Sequence, residues 1–264
     1  MSPTVITKRE IFTPTELVQL RALDLPETDG MPMDSDWQRI VTSLLVEIAR
    51  HHFRRQKTGY FGGNMCFYYS LKQALNVDFL GPDFFYVKAA DPRKLRKKWE
   101  VWNEHNLFPN VIIEFLSPST QANDLGKKKK IYEQTFQTRE YFAYEPDDET
   151  LLGWRLSPIT GLYESIEADE DGRIFSEELN LLIGPWHGTT QGQTTTWLRF
   201  FHDNGSLVLS PEEDAQALAA AQRMAKQRAL ADKKAERAAK EAALADKEAA
   251  LAEVERLRKL LESQ

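Results

Sequence analysis

Cysteine and long apolar runs are what this sequence most clearly lacks. Cysteine occurs once in 264 residues, at Cys66, so no intramolecular disulfide can form and zinc sites built from four thiolates are excluded. No run approaches the roughly 18 apolar residues that span a bilayer, and the first ten residues have no apolar segment typical of a signal peptide. We therefore expect a soluble, cytoplasmic protein without a membrane partner.

An excess of basic residues is also missing. Lys plus Arg number 34 and Asp plus Glu number 40, a formal net charge of −6. This balance excludes proteins that coat nucleic acid through bulk positive charge, but it leaves room for a local basic groove. The glycine-rich motifs GxGxxG and GxxxxGK[ST] are absent, as are the HxxxH and HxH spacings of zinc sites. Aromatic residues make up 11% of the chain, which is enough to fill a hydrophobic core.

The composition changes after residue 210. From 211 to 264 there is no glycine and no aromatic residue, and alanine, leucine and charged residues dominate, as in a long exposed helix. Heptad spacing aligns a narrow apolar seam, formed by Leu230, Leu244, Leu251, Val254 and Leu261. Alanine and arginine fill many seam positions, so any coiled coil is weak. Two interpretations stay open: a helix that pairs as a homodimer, and a solitary helix or flexible tail.

Residues 1–33 are expected to be an N-terminal extension, and residues 34–210 one α/β or α+β domain. Capping signals at Thr13 predict a short helix, and apolar residues spaced by three and four predict an amphipathic helix from Ser35 to about His52. Strands are predicted at 59–70, 84–88, 111–116 and 140–144, a helix from Asp124 to about Phe136, and a closing antiparallel meander at 151–156, 161–166 and 172–175.

Two acidic residues lie on predicted strands. Glu114 interrupts an apolar run typical of a strand buried on both faces, and a buried carboxylate needs a cation, a metal or several donors. Asp83 begins another strand. Taken singly, Asp83 is a turn residue and Glu114 a strand-end residue in a salt bridge or in solvent. If the two strands are neighbours, both carboxylates lie at one end of the sheet, where such oxygen ligands suit Mg²⁺ or Mn²⁺.

Four consecutive lysines, Lys127 to Lys130, follow Asp124, which we expect to cap the helix that begins there. Positive charge is unfavourable near a helix N-terminus, so two or three of these lysines are expected to face solvent. One lysine turned toward Asp83 and Glu114 would orient a water nucleophile or neutralise charge in a transition state.

Residues 89–109, a basic segment, form an insertion between two predicted strands. Six Lys or Arg side chains occur in the eleven residues from Lys88 to Lys98, and Trp99 follows them. This pattern is typical of phosphate contacts with an aromatic residue that stacks on a base. The alternative is a solvated surface helix that Trp99 and Trp102 anchor to the core, and we favour that role for the tryptophans.

Several motifs in order resemble the Uma2 family, also called DUF820, whose members are restriction-endonuclease-like proteins with the PD-(D/E)XK fold. The motifs are Pro82-Asp83, Glu114-Phe-Leu-Ser-Pro-Ser-Thr120, Asp124-x-x-x-Lys128-x-x-x-Tyr132 and Glu140-Tyr141-Phe-x-x-Glu145-Pro146. The likeness covers roughly residues 30–205. It implies an α/β core with a central, four-stranded mixed sheet flanked by helices.

The resemblance also implies a metal site. Asp83 and Glu114 would ligate Mg²⁺ or Mn²⁺, and the carbonyl of Phe115 would complete the set. Lys128 would be the catalytic lysine, although the PD-(D/E)XK class usually has its lysine two residues after the acid, where this chain has Leu116.

Neighbouring residues stay open as alternatives. The assignment of Lys128 depends on its spacing from Asp124 and Tyr132, and three adjacent lysines are also candidates. Glu47, on the early amphipathic helix, would add a further carboxylate if it faced the site, although its place favours the helix surface.

Two functions from different classes are consistent with these observations. The first is a metal-dependent endonuclease that hydrolyses phosphodiester bonds in DNA, which the intact pair of acids favours. The second is a catalytically inactive nuclease-fold protein that acts as an interaction module through its coiled-coil tail. The displaced lysine and the acidic charge of the domain favour the second.

Overall fold

The structure, a computed structural model, describes residues 12–27 and 35–262, with side chains as far as residue 259. Two compact units, Met1–Ser210 and Pro211–Gln264, make up the chain. The N-terminal extension predicted over 1–33 lies within the described residues only at 12–27. Of those residues, Thr13 caps the predicted short helix through a reciprocal capping box with Glu16.

Four helices and eleven strands are described in the first unit. The helices are α1 (Pro14–Ala22), α2 (Asp36–His52), α3 (Leu71–Leu75) and α4 (121–136). The strands are β1 (Tyr60–Gly62), β2 (Phe67–Tyr68), β3 (Phe84–Val87), β4 (Trp99–Glu100), β5 (Val111–Phe115), β6 (Glu140–Glu145), β7 (Thr150–Leu156), β8 (Tyr163–Ile166), β9 (Ile174–Ser176), β10 (Leu181–Thr190) and β11 (Gln193–Phe201).

Six strands form the central sheet, in the order β1-β3-β5-β6-β7-β8. The pair β5–β6 is parallel, and the other pairs are antiparallel. One face packs against α2 and a three-stranded sheet of β9 to β11, and the other face packs against α1, α4 and the β2–β4 ribbon. The predicted mixed sheet flanked by helices is therefore confirmed, with two strands more than the four that the resemblance implied.

Two strand predictions need correction, and one hairpin was missed. The run 59–70 forms two short strands rather than one, because the chain turns at Asn64, whose φ is +52°. The meander does not close, since β9 leaves the central sheet to pair with β10. The hairpin of β10 and β11 was not predicted, although its two-residue loop, Gln191-Gly192, has the positive φ angles of a type I′ turn.

The basic segment is not a surface helix. It is mostly loop and contains β4 and one 3-10 turn (Val101–Asn103). Trp99 and Trp102 are buried, which confirms their anchoring role. Lys94 and Arg96 both pair with the buried carboxylate of Glu104, at 2.5 and 2.9 Å. Part of the positive charge expected to contact phosphate is therefore neutralised within the domain.

The described residues of the second unit form one helix, α5 (Pro211–Glu262). Its 52 residues extend for about 78 Å at 1.5 Å per residue. Leu230, Leu244, Leu251 and Val254 are exposed along it, whereas Leu261 lies beyond the described side chains. The predicted long helix is thus confirmed, while its pairing stays a prediction. Within the described ranges, no helix combines the length and apolar character needed to cross a membrane.

Candidate active site

Asp83 and Glu114 come together because β3 and β5 are antiparallel neighbours. Phe84 pairs with Ile113, so the same register extended by one residue places Asp83 opposite Glu114. The backbone amide of Asp83 donates a hydrogen bond to Oε2 of Glu114 at 3.3 Å. Asp83 is 6% exposed and Glu114 is fully buried. The two carboxyl groups therefore share one desolvated site at the end of the sheet.

The backbone of Phe115 faces the same site. Its N–H group donates to Oδ2 of Asp83 at 2.7 Å. The N–H and C=O groups of one strand residue point toward the same neighbouring strand, so the carbonyl of Phe115 also lies on the side of Asp83. From α2, Nε2 of Gln38 donates to Oδ1 of Asp83 at 2.7 Å. Both oxygens of this carboxylate are thus held in fixed positions.

A close backbone contact also positions Asp83. The loop after β1 passes so near that a Cβ atom on Gly63 would lie 2.4 Å from the carbonyl oxygen of Asp83 and 2.7 Å from Cγ2 of Thr42. Asn64 donates its backbone N–H to the carbonyl of Pro82 at 2.8 Å. Only glycine fits at position 63, because any larger residue would displace the strand end that carries Asp83.

Helix α4 provides the remaining groups of the site. Nζ of Lys128 lies 3.2 Å from Oε1 of Glu114 and 2.8 Å from Oδ1 of Asp124. The hydroxyl of Tyr132 donates to the same Oε1 of Glu114 at 2.6 Å. Asp124, Lys128 and Tyr132 are four residues apart, so they lie along one side of the helix. Two π-helical stretches, Asp124–Lys128 and Tyr132–Phe136, lie within this segment.

The structure distinguishes among the candidates that the sequence left open. Lys128 reaches the acids, Lys129 lies over the ring of Trp154, 3.7 Å from its centroid, and Lys127 and Lys130 are exposed. Glu47 is exposed on α2 and does not enter the site.

The prediction that Asp124 caps the helix is wrong. The helix begins three residues earlier, at Gln121, after Thr120. The side chain of Asp124 is buried and pairs with Lys128 one turn further along. The sequence placed Asp124 and Tyr132 in a family motif but did not indicate which residues they contact. It gave no sign that Gln38 belongs to the site, because Gln38 is uncharged and lies outside the motifs.

Burial determines the electrostatics of the site. Desolvation raises the pKa of Glu114 to about 8, although Lys128 opposes the rise; the nearby Asp83 carboxylate adds to it. Desolvation also raises the pKa of Asp83, against the donors Phe115 N–H and Gln38. Glu114 and Asp124 outweigh the desolvation of Lys128 and raise its pKa, so this ammonium stays charged. The site therefore disfavours its own negative charge.

These groups fit a hard divalent cation. Two carboxylates and one backbone carbonyl are oxygen donors of the kind that Mg²⁺ and Mn²⁺ prefer. A cation would offset the desolvation that raises both carboxyl pKa values and, at Glu114, the charge of Asp83 that adds to the rise. Over the described ranges, no cluster of three or more His, Cys, Asp or Glu side chains is arranged to hold a metal. Water would therefore fill the other positions, as is usual for Mg²⁺.

A mixed sheet with flanking helices and a lysine-bearing helix beside its acidic end defines a restriction-endonuclease-like α/β protein. The chain belongs to the Uma2 family, whose model, described as "Putative restriction endonuclease", matches residues 28–190. This match confirms the resemblance found in the motifs and supports a nuclease-like function.

Among the solved structures that match this chain is one from a nuclease family member. It is described as a "putative nuclease belonging to DUF820 from Anabaena variabilis ATCC 29413", with 16% sequence identity and a TM-score of 0.43. The similarity covers 62% of this chain and 89% of that chain. A comparison with curated proteins finds no match.

Proposed function

We propose that this protein is a metal-dependent endonuclease that hydrolyses phosphodiester bonds in DNA, in the cytoplasm. The observation that carries the proposal is the convergence of two buried carboxylates, a backbone carbonyl and a charged lysine at one end of the sheet. Asp83, Glu114 and the carbonyl of Phe115 would hold Mg²⁺ or Mn²⁺. Such an ion supplies Lewis acidity toward the phosphate and lowers the pKa of water.

The residues of the chain have distinct roles in this proposal. Lys128 acts as a fixed positive charge rather than a base, because its two carboxylate partners keep it protonated. It would stabilise negative charge that develops on the phosphate during attack. Asp124 and Tyr132 orient Lys128 and Glu114, and Gln38 orients Asp83. A side chain held by two partners reorganises little during the reaction, which favours electrostatic stabilisation of the transition state.

Metal titration tests the proposal without any substrate. The melting temperature of the full chain should rise saturably with Mg²⁺ or Mn²⁺, because a ligand that binds only the folded state stabilises it, by about 2.7 kcal/mol at one hundred times the Kd. The matched variant Asp83→Asn keeps the shape of the side chain but removes one anionic ligand. We expect its melting temperature to respond far less. An absent shift, or one of equal size in Asp83→Asn, would contradict a metal at this position.

The alternative function rests on α5. Its exposed leucines repeat at heptad spacing and would suit a partner helix, and a second copy of the chain offers a matching seam. We therefore propose a homodimer through α5, which is compatible with catalysis because cutting both strands of a duplex takes two active sites. An inactive interaction module would use the same helix without needing the acids.

Self-association through α5 can be tested in the full chain. Leu244→Glu combined with Leu251→Glu places charge on the seam and should shift the protein from dimer to monomer in sedimentation at tens of micromolar. The control, Ala242→Glu combined with Ala249→Glu, adds the same charge on the opposite side of the helix and should leave the dimer intact. A wild-type monomer rules out the pairing, and dimers in all three proteins would locate the association elsewhere.

A further inference from the structure

A second concave surface lies at the other end of α2. It is a cavity of about 570 Å³, lined by Arg50, Phe53, Arg54, Gln56, Lys57, Gly59, Phe61, Pro92 and Arg93. Arg50 follows Gln38 by twelve residues on α2, a distance of about 18 Å at 1.5 Å per residue. Because Gln38 contacts Asp83, this cavity is separate from the candidate active site.

The cavity is positively charged. Four of its nine lining residues are Lys or Arg, and none is acidic. Arg50 donates to the carbonyl of Phe61 at 2.7 and 3.1 Å, and Arg54 donates to the carbonyl of His51 at 2.6 Å. These partners orient the guanidinium groups but do not cancel their charge. Arg93 differs, since it pairs with Asp91 at 3.1 Å.

The balance of charge therefore favours an anion. In the part of the chain that the structure describes, no carboxylate within 4 Å pairs with Arg50, Arg54 or Lys57. Three positive charges at one cavity attract an anion through Coulomb forces that weaken as salt is added. Arginine also binds phosphate through two parallel hydrogen bonds.

An aromatic surface adjoins these charges. Phe53, half-buried at the end of α2, stacks on Phe61 with ring centroids 5.1 Å apart, and both rings line the cavity. Gly59, with a φ of +120°, turns the chain at the opposite wall. A ligand that satisfies the whole cavity needs an anionic part and a flat apolar part, since aromatic side chains bind bases through their faces.

We propose that this cavity binds a nucleotide unit, with its phosphate on Arg50, Arg54 and Lys57 and its base against Phe53. A free mononucleotide and a nucleotide within a strand present the same chemistry. The separation of about 18 Å between Gln38 and Arg50 corresponds to about five nucleotides at 3.4 Å each, so one bound strand would reach both. The binding itself uses none of the catalytic residues and does not depend on the proposed nuclease activity.

Calorimetry of the full chain tests the proposal with three probes: deoxyadenosine monophosphate, inorganic phosphate and a short single-stranded oligonucleotide. The mononucleotide should bind saturably and about tenfold more tightly than phosphate, because stacking adds affinity. Arg54→Ala combined with Lys57→Ala should weaken its binding at least tenfold. The control Arg55→Ala removes a neighbouring exposed charge that does not line the cavity and should change affinity less than twofold.

A second variant separates the two halves of the ligand. Phe53→Leu should weaken the mononucleotide toward the affinity of inorganic phosphate and leave phosphate binding unchanged. If the oligonucleotide binds more tightly than the mononucleotide, and Arg54→Ala combined with Lys57→Ala abolishes that binding, the natural ligand is a nucleic-acid strand. If only the mononucleotide binds, the natural ligand is a free nucleotide. No saturable binding, an equal loss in Arg55→Ala, or equal affinity for phosphate and mononucleotide would overturn the proposal. Asp83→Asn should bind the mononucleotide normally, so failure of the nuclease proposal would be recognised separately.

Discussion

Replacing Glu114 by glutamine is expected to abolish phosphodiester hydrolysis and to leave the metal-free domain at least as stable as the wild type. The substitution removes a completely buried carboxyl group whose charged form is disfavoured by desolvation and keeps an acceptor for the hydroxyl of Tyr132. Loss of a metal ligand should cost several kcal/mol of transition-state stabilisation, a fall in rate of about a thousandfold or more. Cleavage of plasmid DNA with Mg²⁺ and thermal denaturation in a chelator measure the two effects.

The stability measurement separates the proposed role from a structural one. If Glu114 serves as the structural partner of Lys128, which lies 3.2 Å away, breaking the buried pair should cost about 3–5 kcal/mol. The melting temperature would then fall markedly without metal. Glu47→Gln is the matched control, because Glu47 is exposed on α2. It should change neither activity nor melting temperature.

Replacing Lys128 by methionine is expected to lower the rate of cleavage by about a hundredfold to a thousandfold, the typical effect of removing one group that stabilises transition-state charge. The stem of methionine fills much the same space, while the positive charge is lost. The two ligating acids remain, so the rise in melting temperature with Mg²⁺ should persist. Single-turnover cleavage, measured after circular dichroism has established folding, gives the rate.

Lys127→Met is the matched control for this experiment, since Lys127 is the adjacent, exposed lysine. It should leave the single-turnover rate within about twofold of the wild type, the scatter expected of a change that touches no reacting group. An equal fall in both variants would show that the lysines attract DNA through general charge. Such an effect of general charge would diminish at saturating DNA and would depend on the salt concentration.

The elements that could be predicted from the sequence have strong local signals. The spacing of apolar residues predicted α2, and a run that is apolar except for Glu114 predicted β5. The approach of Asp83 to Glu114 has no such signal, because the pairing of β3 with β5 joins residues 31 positions apart. Only the resemblance to a family, with its motifs in order, indicated that these acids share one site.

The features of the site and of the basic segment that were predicted wrongly depend on contacts that cannot be read from residue types alone. Asp124 has the residue type of a helix cap, yet α4 begins earlier and buries that side chain against Lys128. Lys94 and Arg96 lie in a basic stretch of sequence, but Glu104, eight to ten residues later, neutralises both. In each case the partner lies a turn or a loop away, and only the folded backbone brings the two together.

The placement of α4 explains how a lysine on a helix can replace one on a strand. This helix connects β5 to β6, which are parallel neighbours, and connections of that kind are right-handed in about 98% of cases. Chirality thus restricts the helix to one face of the sheet, and Glu114 projects onto that face, toward Lys128 and Tyr132. Leu116 packs in the apolar cluster that includes Tyr132. The handedness of the crossover therefore places an ammonium group of α4 beside the Glu114 carboxylate, the place that a lysine at position 116 would occupy in the usual motif.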